Sequence, residues 1–196
     1  MNHSRSARLF HLSLPSLLIA AALGAGCQGL PQVPGRHVQE LYRGGLESVQ
    51  PADVVVAPVN DQSPGCTAPL AALRSAFQNA LIKRRYSPLA LDYVDRRVVE
   101  AAYTVGALQE DAVLQVTVRE WDMSRWDTHG EVQVEVEAWM IAANGAELWG
   151  GKLSRKLDLS NEREHFPTHV EAFTRGCTRV ADELLKVMPA RTPTAR

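Results

Sequence analysis

The sequence predicts an α/β fold: a single layered domain with a mixed sheet, helices packed on that sheet, and a C-terminal helix. Three observations predict it. Two long stretches, Ala112 to Trp121 and Glu131 to Ile141, alternate apolar and polar residues, and a third strand-like stretch follows Asn144-Gly145, which makes a three-stranded antiparallel meander. Ahead of them, the apolar run Val54-Val55-Val56 leads into a helical pattern, a short strand pattern and a second helical pattern. Behind them, Val170, Phe173, Cys177, Val180, Leu184 and Val187 recur at spacings of three and four, the stripe of a helix that covers a sheet or another helix. Such elements bury their apolar sides only when stacked as layers.

In chain order, residues 28–36 carry Pro31, Pro34 and Gly35 and no apolar period, which reads as a tether. Residues 37–50 are ambiguous, with pattern enough for a short helix ending at Gly44-Gly45. Val54 to Ala57 has no alternation, as suits a strand buried on both faces, and Pro58 with the loop Asn60 to Gly65 ends it. Thr67 is placed to cap a helix and Pro69 to open its first turn. Leu70, Leu73, Phe77 and Leu81 then keep helical spacing, and Lys83-Arg84-Arg85 put cations at the helix C-terminus, where the dipole favours them. Tyr86 to Leu91 reads as a short strand that Pro88 confines to an edge or a bulge. Asp92 to about Tyr103 reads as a second helix with a weak stripe of Val94, Val98 and Ala101 or Ala102.

The hairpin can be registered on paper. A two-residue turn at Asn144-Gly145 pairs Ala143 with Ala146, which sets Glu137 opposite Lys152 and Gln133 opposite Lys156. On the other face Val136 meets Leu153, Met140 meets Trp149 and Val132 meets Leu157. Trp139, opposite Gly150, can lay its ring over bare backbone. A slip of one residue would spoil the wet face and the apolar face together, so the register is strongly specified. Pro167 opens the last helix, and residues 189–196 read as a frayed tail.

The chain has 196 residues and a formal net charge of −1, with 45% hydrophobic and 22% charged residues. There is no basic field of the kind nucleic acid requires. The first residues differ from the rest. Arg5 and Arg8 precede an uncharged apolar stretch from Leu12 to Ala25, too short to span a bilayer, and Gly24-Ala25-Gly26 precedes Cys27. This ending resembles the lipobox of bacterial lipoproteins. The resemblance implies a signal peptide over 1–26, cleavage before Cys27, and acyl chains on that cysteine that hold the chain on a membrane. It also implies an outer-membrane address on the periplasmic face, since Gln28 is not the aspartate that favours inner-membrane retention; the inner membrane and the cell surface remain the alternatives. The expected organisation is 1–26 signal, 27–50 lipidated cysteine and tether, 51–188 domain, and 189–196 tail.

Two further cysteines remain. Cys66 and Cys177 would close a loop of more than a hundred residues as a disulfide, worth about 4 kcal/mol in the chain-entropy account. Alternatively Cys177, on the apolar stripe of the last helix, is a small buried hydrophobe.

Few residues suggest chemistry. His165 and His169 have a zinc-ligand spacing, with Glu162, Glu164 and Glu171 nearby, but Pro167 between them breaks the helix that would align them. Asp92, Asp95 and Glu100 lie on a charged helix face with Arg96 and Arg97. No nucleophile elbow, phosphate-binding glycine loop or Cys/His signature is present, so no catalytic, metal or cofactor residue is assigned. The loop between the first two meander strands is the stronger candidate. Met123, Arg125, Trp126 and His129 there could anchor a partner, or Trp126 could fold back to cap the core.

The stretch Glu110-Asp-Ala-Val-Leu-Gln-Val-Thr-Val-Arg-Glu-Trp121, with Glu147-Leu-Trp-Gly150, resembles a family of small bacterial lipoproteins of the GNA type. That family stands near the N-terminal-like domain of TolB and the soluble domain of the curli-secretion lipoprotein. The resemblance spans roughly residues 50–188 and departs at Glu110, where the family more often has alanine, and at Cys66. It implies a non-enzymatic, lipid-anchored envelope protein that acts as scaffold or accessory subunit for an envelope protein partner in assembly, export or transport. A homo-oligomer is compatible with the sequence, which does not specify the oligomeric state. A peptidoglycan-synthase activator, a small-ligand binder and an enzyme of undetected type are the alternatives. A pore is disfavoured, because Glu135, Glu137, Lys152 and Lys156 at the bilayer middle would cost about 2–4 kcal/mol each at most.

Overall fold

The computed structural model describes residues 37–97, 105–165 and 169–192. Seven strands form one mixed sheet in the order β1-β7-β6-β5-β2-β4, with β3 also paired to β5. The strands are β1 Val38–Arg43, β2 Asp53–Val56, β3 Asn60–Asp61, β4 Ser87–Pro88, β5 Ala112–Asp122, β6 Glu131–Ala142 and β7 Glu147–Asp158. The helices are α1 Leu46–Val49, α2 Leu70–Lys83, α3 Leu91–Arg97, α4 Trp126–His129, α5 Ser160–His165 and α6 His169–Lys186.

The short run Val54-Val55-Val56 is a parallel strand between β4 and β5. Val54 and Val56 join the main core under α2 and α6, while Val55 packs with Val113 and Val94 under α3. Two opposite faces thus cover one strand, which is why its sequence lacks alternation. The chain passes from β2 through α2 to β4 on one face, then through α3 to β5 on the other.

The meander carries the rest. β5, β6 and β7 are antiparallel, and the register of β6 on β7 runs Val132↔Leu157, Gln133↔Lys156, Val136↔Leu153, Glu137↔Lys152, Trp139↔Gly150 and Met140↔Trp149, as the sequence specifies. α6 and α2 lie side by side on the apolar face, so that Phe77, Leu81, Val180 and Leu184 share a core with Val134, Val136 and Met140.

Several expectations need correction. The hairpin turn is not the two-residue type. Gly145 donates its N–H to Ala142 O at 2.8 Å, Ala142 donates to Ala146 O at 2.8 Å, and Gly145 alone of the turn has positive φ, at 85°. Three residues make this loop, and a register shift between Met140 and Ile141 absorbs the difference. Residues 38–43 are a strand and not a helix. β1 lines the far edge of β7, where Glu40 accepts the indole N–H of Trp149 at 3.1 Å. The domain therefore begins before residue 51, and Leu46 on α1 is a core residue. Thr67 does not cap α2; its hydroxyl donates to Trp121 O at 3.3 Å. The strand at Tyr86 shrinks to Ser87–Pro88 at the sheet edge, and α3 is described to Arg97, the expected remainder to Tyr103 lying outside the described residues.

The C-terminal segment is tied down as far as Thr192. Tyr86 Oη donates to Pro189 O at 2.9 Å, Arg191 N to Arg84 O at 3.0 Å, and Thr192 N to the Gln50 side-chain oxygen at 2.8 Å. These bonds link α1, the end of α2 and the end of α6, elements remote in sequence.

Candidate functional site

The loop after β5 is the candidate that the sequence favours, and its tryptophan points inward. Asp122 turns the chain by accepting Ser124 N at 2.8 Å and Ser124 Oγ at 3.0 Å. Trp126 then opens the single-turn helix α4 and is only 3% exposed. Its ring lies 4.7 Å from Phe173, and its Nε1–H donates to His169 Nδ1 at 2.8 Å. Trp126 thus folds back to cap the core, the other reading that the sequence offers, while Arg125 and His129 stay exposed. Met123 packs against the core, Arg125 pairs with Glu131 at 2.7 Å, and His129 Nδ1 meets Thr128 Oγ1 at 2.7 Å. The cause lies in α6, whose Phe173 and His169 form a slot that the loop sequence could not announce.

The cysteines are separate thiols. Cys66 is exposed in the loop before α2, and Cys177 is buried on α6, where burial pushes its thiol up to about 12. The two histidines also part: His165 Nδ1 faces Asn161 O at 2.7 Å, whereas His169 holds Trp126. Among the described residues no group of three His, Cys, Asp or Glu side chains could hold a metal ion. Asp92 pairs with Arg96 at 3.3 Å and Asp95 with Arg74 at 2.5 Å, while Glu100 lies outside the described residues. Cys27 lies outside them too.

At two places favoured by ligands in α/β proteins the chain's own groups hold the polar atoms. The parallel strands stand in the order β4-β2-β5, so the strand order reverses beside β2, and ligands bind at such switch points outside the strands' carboxyl ends. Here β3 continues alongside β5, and Arg74 donates its Nε–H to Val56 O at 3.0 Å. At the opposite end a cleft of about 340 Å³ is lined by Val49, Gln50, Glu110, Asp111 and Asn144 among others. Its acids are engaged: Asp111 Oδ2 accepts Ala52 N at 2.7 Å and Asp53 N at 3.0 Å, and Glu110 accepts the backbone N–H of Leu108 at 2.9 Å. They staple loops to the sheet.

A broader surface remains. Among the described residues, α3 packs over the Val55 and Val113 part of the second sheet face. Over β6, β7 and β1 that face is half open, and the side chains of β6 alternate between buried and intermediate along its whole length. Trp139 lies across Gly150, where a Cβ would come within 2.5 Å of the ring. Tyr42, 41% exposed, sits beside it with ring centroids 6.5 Å apart. Beyond the aromatic pair runs a charged row: Lys152 bonds Glu135 at 2.6 Å, and Arg119 bonds Glu137 at 2.9 Å. The sequence marked Trp139 and Gly150 as neighbours; Tyr42 could not be foreseen, because it arrives on β1.

No family model matches the chain, and no curated protein matches it. Solved structures do. A PelC dodecamer from Paraburkholderia phytofirmans superposes with a TM-score of 0.53 at 17% identity, covering 80% of this chain and 98% of that one. A variant PelC dodecamer from the same organism gives 0.50 at 16% identity, covering 76% and 95%. The lipoprotein GNA1162 from Neisseria meningitidis gives 0.48 at 20% identity, covering 66% and 96%. At these identities the likeness is one of fold.

Proposed function

We propose that this chain is a non-enzymatic, lipid-anchored envelope protein that works as an oligomeric scaffold or accessory subunit, with acyl chains on Cys27 and the open sheet face as its contact with a second copy. The observation that carries the reading is the asymmetry of the sheet. One face is sealed by α2 and α6, and the other offers Tyr42 and Trp139 beside a row of both charge signs. Half-buried aromatics next to polar groups are the composition of protein interfaces. The PelC chains of like fold are dodecamers, and nearly their whole length matches this domain. The ligand-binding and enzymatic alternatives draw no support from the switch point and the cleft, where the chain's own groups hold the polar atoms.

The test uses the full-length protein in detergent, with Cys27→Ser and Trp139→Glu variants. Native mass spectrometry is expected to find an acylated oligomer that Trp139→Glu converts to a folded monomer. Crosslinking in membranes is expected to recover envelope partners only with the acylated form. A monomer at every concentration, or an unmodified Cys27, would overturn the corresponding half of the proposal.

A further inference from the structure

The loop after β5 is joined to the start of α6 by a polar bond whose acceptor is a single imidazole nitrogen. The buried Trp126 indole donates its Nε1–H to His169 Nδ1 at 2.8 Å, with the rings edge-on at 5.6 Å. To accept there, the neutral imidazole must carry its proton on Nε2. A protonated imidazole has N–H at both nitrogens and accepts nothing. His169 is exposed, so solvent protons reach it.

We propose that the Trp126–His169 bond is a proton-operated latch that closes the Met123–Gly130 loop on α6 when His169 is neutral and releases it when the ring is protonated. Protonation turns the acceptor into a donor facing a donor, and the indole N–H, sunk against Phe173, is left without a partner. The titratable and charged groups on the surrounding elements are Asp127 and His129 on α4, Arg125 beside them, Arg163 and His165 on α5, and Glu171 on α6. Arg163 donates to the carbonyls of Trp126 at 2.8 Å and Asp127 at 2.7 Å, a bond that acid leaves intact. Arg125 is paired with Glu131. His129 and His165 bond to Thr128 and Asn161, not to the indole. Arg163 therefore keeps the loop hinged while its inner end swings free. The inference does not depend on the proposed function.

The experiment follows the indole N–H signals of the 15N-labelled, unacylated full chain (Cys27→Ser) from about pH 8 to about pH 5, the range in which histidines change charge. Trp126→Phe assigns the Trp126 signal, and Trp149, whose N–H is held by Glu40, is the reference in the same spectrum. The hydrogen-exchange protection of the Trp126 N–H should fall at least tenfold with the midpoint at which the His169 ring titrates. In His169→Gln, whose amide oxygen accepts at every pH, it should stay flat. If that variant fails to fold, Trp126→Phe decides: acid-induced loosening of loop backbone amides 124–130 should vanish when the donor is gone. A Trp126 signal that stays protected while His169 titrates overturns the latch. So does an equal loss in His169→Gln, or loop loosening that persists in Trp126→Phe.

Discussion

A single side chain's surroundings decide whether it is reactive. The Cys177 thiol sits under α6 with its titration pushed up to about 12 by burial, and only a thiolate is nucleophilic. Cys66 is exposed. In native, unreduced Cys27→Ser protein, iodoacetamide near neutral pH should add one label, at Cys66, and reach Cys177 only after denaturation; no label at all would restore the disulfide. Tyr86 makes a parallel case. Burial raises its phenol to about 12, above the ordinary value near 10. The fold favours the protonated phenol, so this contribution to stability is complete below about pH 10 and is lost as pH rises toward 12. Tyr86→Phe should remove that alkaline step in a denaturant-midpoint series. It should also cost about 1 kcal/mol at pH 7 through the lost bond to Pro189.

At the scale of elements, two glycines show how the same added carbon can cost different amounts. A Cβ at Gly150 would meet the Trp139 ring at 2.5 Å, but that ring is partly exposed and can move aside. A Cβ at Gly130 would meet the Ser160 backbone at 2.7 Å, at a φ of +67°, and neither backbone can yield. Gly150→Ala should leave the β6–β7 register unchanged, cost about 1 kcal/mol and shift Trp139 emission to the red. Gly130→Ala should cost about 2–3 kcal/mol and lower the thermal midpoint by several degrees. Equal costs for the two would refute this account of the hairpin.

Across the whole molecule the decisive contacts join distant parts of the chain. β1 closes an edge of the sheet, and Leu46, 1% exposed, enters the core just after it. A chain begun at Pro51 would lose that side chain, worth about 1.5–3 kcal/mol of burial, and would bare β7 as an unpaired edge. It should aggregate or melt well below a chain begun at Pro31. Equal thermal midpoints and solubility for the two chains would make β1 dispensable.

What the sequence determined by itself was what local periodicity encodes. Alternation of period two, with Lys152 opposite Glu137 and Lys156 opposite Gln133, specifies the β6–β7 register, and spacings of three and four specify α2 and α6. The tertiary structure alone decided the rest. The Val38–Arg43 strand exists because β7 offers an edge and Trp149 finds Glu40, 109 residues away. Trp126 is buried because α6 brings His169 and Phe173 to it, 43 residues or more along the chain. The hairpin's end changed for a similar reason: Leu148 and Trp149 are both buried, which the register shift beside them permits and an unbroken two-residue turn would not. Periodicity reports which way a residue faces within its own element, whereas exposure is set by whichever element later covers that face.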